Sequence, residues 1–367
     1  VLWWVGFFYF TALCVNIWNI LNPWAFLFRL AELATRKSIQ LTSYPTWLGY
    51  WPSFLFFLSF VWIELAWPHK ETPATLATVI ILYSLITWTG MTIYGKWSWL
   101  KYGECFSVVF TLIGSFSPIQ ICKTKGTLII QPPAFGILGM REPSMGLVLI
   151  TILLLAGLSF DGFMATEAWL QLKVYLLNVN AFGSILRKLH QTFGSLQPVL
   201  TTVGLALTLL LFLFTYILVC LLTKILINWT TAPPESEVSF QQLLKHFVMT
   251  LLPIAIAYHL AHYLSYLLIA GQLIIPLISD PYGLGWNIFN TNNYRIDIGI
   301  INSKSMWNIT LASVIGGHIL SMFLCHVRTN QIYISTNKTF IQLPMVILMI
   351  LYTGASLWIL AQPIVES

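Results

Sequence analysis

Residues 198–227 read PVLTTVGLALTLLLFLFTYILVCLLTKILI, and Lys224 is the only charged side chain in the run. A helix of about 20 apolar residues crosses a hydrocarbon core of about 30 Å. A membrane barrel strand would instead alternate polar and apolar positions over about ten residues, and this stretch does not alternate. A helix also satisfies its own backbone hydrogen bonds where water is absent. The stretch therefore predicts a transmembrane helix and supplies the template for the rest of the chain.

Comparable runs recur at about 1–20, 50–67, 74–95, 103–121, 145–168, 246–277, 308–327 and 340–362. Together they predict an all-α, polytopic membrane helix bundle of about nine transmembrane helices, forming one domain over 1–367. Trp51, Trp62, Trp67, Trp97, Trp99, Trp169 and Trp307 fall near the proposed span ends, as an interfacial aromatic belt requires. Three connections exceed a turn. Residues 122–144 include a short strand pattern before Pro132-Pro133, and 170–197 read as an amphipathic segment on the interface. Residues 279–307, rich in Gly, Asn and Asp, read as a turn-rich cap.

Composition agrees. Charged residues make up 8% of the 367, against about 25% in a soluble domain. Such a surface excludes a cytosolic enzyme, a nucleic-acid binder and a disordered protein, and makes the lipid bilayer the principal partner. The net charge of +6 comes from scattered bases, with Arg36-Lys37 and Arg187-Lys188 the nearest to clusters. Lys and Arg summed over alternate loops slightly favour an outside N-terminus and a cytoplasmic C-terminus. Val1 opens straight into WWVGFFYF without a basic lead, which is not the pattern of a signal peptide. Five cysteines without a CxxC pair read as small packing residues, not as a disulfide or zinc framework.

An ionisable side chain at the centre of a lipid-embedded helix costs at least about 2.5–3.5 kcal/mol, so each such residue is a candidate site. AIAYHLAHYLSYLLIAGQ, at 255–272, is the richest span. His259 and His262 lie three apart and within one helical turn, with Tyr258, Tyr263, Ser265, Tyr266 and Gln272 extending a polar stripe. Two such imidazoles can bind one cation if other helices supply further ligands. Hydrogen bonding between helices is the plainer alternative. Pro253, a turn or so earlier, can kink the helix toward the site. His318 follows Gly316-Gly317, a pair that admits a close neighbour or a cofactor. His326 lies about 80° round and about 12 Å along from it, so it reads as interfacial. Asp161, beside Gly162, can be a metal ligand, a proton carrier or a hydrogen-bond acceptor. Glu64 and Glu104 read as span-end carboxylates reaching the headgroups, and His69, His190 and His246 as solvated. No GxSxG, HExxH or Walker pattern occurs. The matches to the glycosylation pattern at Asn228, Asn308 and Asn337 abut spans and read as chance.

WPSFLFFLSFVWIELAWP, SFDGF, AYHLAHYLSYLL, GQLIIPLISDPYGLGW and SLWILAQPIVE together resemble the fenitrothion hydrolases, a group of polytopic prokaryotic membrane proteins. The likeness runs from about residue 50 to the end and is most specific in the histidine span. It implies hydrolysis of an organophosphate-type ester in a prokaryotic cytoplasmic membrane, together with a second subunit. Hydrolysis by metal-activated water would use His259, His262 and His318 as ligands, with Asp161 as base or fourth ligand. The metal would be a divalent ion, zinc or copper. Two other classes remain open: a haem- or copper-binding subunit of a larger membrane redox complex, and a transporter whose buried polar residues form a pathway.

Overall fold

The computed structural model describes residues 2–121, 127–140, 143–179, 188, 195–230, 238–332 and 338–362. Cys122, Arg141, Arg187, His190 and Asn337 lie outside these described residues, as does half of the segment expected to be interfacial at 170–197. The described elements in chain order begin with a π-helical turn at Leu2–Gly6, then α1 (Phe7–Leu13), α2 (Trp18–Leu21), α3 (Pro23–Thr35), α4 (Trp51–Ala66), α5 (Pro73–Tyr94), α6 (Lys96–Tyr102) and α7 (Cys105–Gly114). A two-stranded antiparallel hairpin of β1 (Ile119–Ile121) and β2 (Leu128–Ile130) follows, with the strand expected before Pro132-Pro133 as β2. The second half holds α8 (Phe135–Leu138), α9 (Met145–Met164), α10 (Glu167–Asn178), α11 (Gln197–Thr230), α12 (Phe240–Val248), α13 (Leu252–Ala270), α14 (Ile274–Ser279), α15 (Ser303–Ile332) and α16 (Lys338–Ala361).

Six helices among the described residues are long and apolar enough to cross a membrane, and they make the chain an integral membrane protein. The expected count of about nine is not reached, because three apolar runs form shorter helices: Leu2–Leu13, α4 and α7. At about 1.5 Å per residue, the 16 residues of α4 reach about 24 Å and the 10 of α7 about 15 Å. The run at 1–20 breaks after Leu13, where the chain turns and the Asn16 side chain donates to the Phe110 carbonyl at 3.0 Å. The run at 103–121 breaks after Gly114 as the chain turns through Ser115–Pro118 into the hairpin.

Where each helix sits follows from its sequence. α9 is apolar on every side, and all its faces are covered, as such a helix demands. α4, α11 and α13 pack on it directly, and α13, α15, α16 and α11 contact one another in succession beside it. α11 turns Leu207, Leu210, Leu211, Phe214 and Leu218 outward at helical spacing, while Tyr216, Val219, Cys220 and Thr223 face the bundle. An exposed apolar stripe of this length suits lipid. At the N-terminal end, Trp4, Phe8, Trp18, Phe106 and Phe110 build an aromatic cluster of edge-on and tilted rings.

Glu104 departs from expectation. It is 1% exposed and does not reach a headgroup layer. Its carboxylate caps α7, accepting from the Phe106 and Ser107 amides at 2.9 and 2.7 Å and from the Tyr83 hydroxyl at 2.5 Å. Pro253 stands in the first turn of α13, directly after a 3-10 turn at Met249–Leu251 that interrupts the helical segment Phe240–Ser279.

α13 and α15 approach each other closely at Gly317. A Cβ on Gly317 would lie 2.2 Å from the Ala257 Cβ and 2.8 Å from the Pro253 carbonyl oxygen, whereas one on Gly316 would meet nothing within 4 Å. Gly317→Ala should therefore destabilise the protein by about 1–3 kcal/mol through overpacking. Gly316→Ala should be neutral or stabilising by up to about 1 kcal/mol. Thermal unfolding of both variants in one detergent checks this contrast.

Candidate functional site

The polar residues of α13 meet different neighbours. Residues three apart on a helix are offset by about 60°, so two flanking helices can each take one of them. His259 turns toward the N-terminal helices, where its ring stacks on Phe8 of α1 with centroids 3.6 Å apart and planes 26° from parallel. It is wholly buried, and neither ring nitrogen has a hydrogen-bond partner among the described residues. The Tyr9 hydroxyl donates to the Leu260 carbonyl and fastens α1 to α13 at this level.

His262 turns toward α9. Its Nε2 lies 3.0 Å from Asp161 Oδ2, and the Tyr263 hydroxyl donates to the same oxygen at 2.5 Å. Consecutive helix positions point about 100° apart and do not normally share a contact. Here the carboxylate stands between them and both long side chains reach it. Gly162 makes the approach possible: a Cβ there would fall 2.4 Å from the Tyr258 hydroxyl oxygen and 2.8 Å from Ile359 Cγ2. The Tyr258 ring lies 9° from parallel to the His262 ring, with centroids 5.8 Å apart, and backs the imidazole.

His318 joins neither group. Its Nδ1 lies 2.7 Å from the Val314 carbonyl oxygen, one turn back on its own helix. The three histidines read as one ligand set thus face three different neighbours. No group of three or more His, Cys, Asp or Glu side chains among the described residues could hold a metal ion. His326 is exposed and bonds Gln342 and Asn330.

Two cavities flank the His262–Asp161 pair. The outer one, about 410 Å³, is lined by Gly162, His262, Ser265, Ile298 and Trp307 among others. Its volume falls in the roughly 300–1,000 Å³ range of small-molecule sites. Gln272 holds part of its wall. The Gln272 side chain donates to the Asp297 carbonyl and accepts from the Asp297 amide, both at 2.9 Å, and accepts from the Tyr294 hydroxyl at 2.7 Å. The inner cavity is about 20 Å³, room for about one water, and Glu64, Asp161, His259 and Tyr263 line it. Glu64 is therefore part of the site, although the sequence placed it at a span end. A spacing pattern carries the signal: Val61 packs at the glycine of Gly157, and Glu64 and Asp161 follow about one turn later on α4 and α9.

The arrangement couples a carboxylate, an imidazole and a phenol by hydrogen bonds between two cavities. The side chains of His262 and Asp161 are 20% and 23% exposed; His262 lines the outer cavity and Asp161 the inner one. No family model, curated protein or solved structure matches the chain.

If the Tyr263 hydroxyl helps hold Asp161 against α13, Tyr263→Phe should cost about 1–3 kcal/mol, the range for a hydrogen bond to a charged or buried partner. Tyr266→Phe, at a half-exposed position on the same helix, should cost almost nothing. Unfolding of the two variants in identical bilayer discs gives the comparison.

Proposed function

We propose that this integral membrane protein carries out acid–base chemistry at membrane depth, with His262 as general base and acid, Asp161 orienting it, and the outer cavity holding a small apolar ester. The observation supporting this reading is the 3.0 Å contact between the Asp161 carboxylate and His262, which lines the 410 Å³ cavity. A paired imidazole with one nitrogen bound to a carboxylate has its other nitrogen free to exchange a proton, the arrangement general acid–base catalysis uses. The likeness to fenitrothion hydrolases names the reaction class, hydrolysis of an organophosphate-type ester, and a prokaryotic cytoplasmic membrane as its setting.

In that reaction a water oxygen bonds to phosphorus as His262 takes its proton. The phosphorus–aryloxy bond breaks, and the phenolate receives the proton back. A metal-bound water would need a further ligand beside His262 and Asp161, and the described residues supply no such group.

With the whole chain in bilayer discs, release of p-nitrophenol from a neutral aryl dialkyl phosphate measures the activity. General acid–base groups contribute about 10²–10⁴-fold, so His262→Ala and Asp161→Asn should each lower kcat by that order. Unchanged hydrolysis in both variants would sink the assignment.

A second reading is favoured by the inner cavity, where Glu64 and Asp161 face shared space. In it the same groups pass protons inward as part of a transport cycle. Proteoliposomes loaded with a pH-sensitive dye should then show a proton flux that Glu64→Gln abolishes. Hydrolysis without flux favours the enzyme, and flux without hydrolysis favours transport.

A further inference from the structure

A second large cavity lies among the N-terminal helices, away from the His262 site. It occupies about 780 Å³ between α3, α6 and α7. Arg29, Lys96 and Lys101 line it together with Asn19, Phe26 and Leu100, and no acidic side chain is among its lining residues. Lys96 is compensated within the wall, its Nζ 2.7 Å from Glu32 Oε2. Arg29 and Lys101 form no ion pair among the described residues. Two cations without a carboxylate partner among the described residues, Lys101 lying 4.7 Å from the centre of the Tyr102 ring, thus face a space whose remaining surface is mostly apolar.

Its level in the membrane is marked by its neighbours. Trp97, on the cavity edge, is 78% exposed, and Trp47 just before α4 and Trp51 at its start lie exposed, as aromatic side chains at a lipid–water boundary do. α3 continues from the cavity with Phe26, Leu30 and Leu33 turned outward, a surface suited to acyl chains. Basic pockets between membrane helices at this depth suit anionic headgroups.

We propose that this cavity binds the headgroup of an anionic phospholipid, with Arg29 and Lys101 holding the phosphate and the acyl chains lying along the exposed face of α3. A zwitterionic lipid carries a compensating cation that would be set against these two, so the site discriminates by net headgroup charge. Binding here is independent of the chemistry proposed for His262.

The test uses the full chain in discs of phosphatidylcholine mixed with phosphatidylglycerol, with native mass spectrometry reporting the lipid retained. At about 1 kcal/mol per cation near the surface, two cations predict a roughly 10- to 30-fold preference for phosphatidylglycerol. The preference should shrink with added salt. Arg29→Gln with Lys101→Gln should remove it, and Lys173→Gln, on α10 outside the cavity, should leave it intact. Glycerol phosphate added to the discs should not compete. The proposal is overturned if the wild-type chain shows no preference or a salt-independent one, or if the double variant retains it. Displacement of the lipid by glycerol phosphate would also overturn it, since the ligand would then be a soluble phosphate. Because the salt titration uses the wild-type chain, a double variant that fails to fold does not remove the test.

Discussion

A carboxylate inside a helical membrane bundle must be met by donors, because lipid offers none and an unmet polar group there costs several kcal/mol. Asp161 is met twice from one helix, by His262 and by Tyr263, and both contacts end on the same oxygen. That demand fixes how α13 sits on α9. Gly162 supplies the clearance for the approach, and Gly317 lets α15 close on the opposite side of α13. The two cavities beside the pair are a consequence of this packing: α13 is drawn to α9 at one level, while the cap containing Asp297 is tied back to Gln272 further along.

The fold was largely legible from hydropathy alone. Runs such as 198–227 and 145–168 have no alternative to a helix in lipid; the first lies wholly within α11, and the second is helical to Met164, where α9 ends. The count of spans was less legible, because apolar composition reports burial without saying whether lipid or protein does the burying. The runs at 1–20 and 103–121 are apolar because aromatic rings pack against one another there, and their helices stop short of crossing length. Glu104 shows the same limit: a carboxylate at an apparent span end serves as a buried helix cap.

The candidate residues stood out in the sequence, but the partner each one meets did not. His259, His262, His318 and Asp161 stood out because ionisable groups are scarce in these spans. Spacing of three on a helix suggested a shared ligand, yet the offset of about 60° was enough to send His259 to Phe8 and His262 to Asp161. Which neighbour each would meet depends on helix packing, and residue spacing within one span carries no information about that. Glycines are the exception, since Gly157, Gly162 and Gly317 mark places where helices approach closely.

The most direct measurement is a double-mutant cycle on the pair itself, combining Asp161→Asn and His262→Gln and reading unfolding of the full chain in bilayer discs. Groups in direct contact couple by about 0.5–3 kcal/mol, whereas independent sites add to within about 0.3–0.5 kcal/mol. A coupling in the first range is expected for His262 with Asp161, and none for His318 with Asp161. Additive losses for the His262 cycle would contradict the pairing on which the proposed chemistry depends.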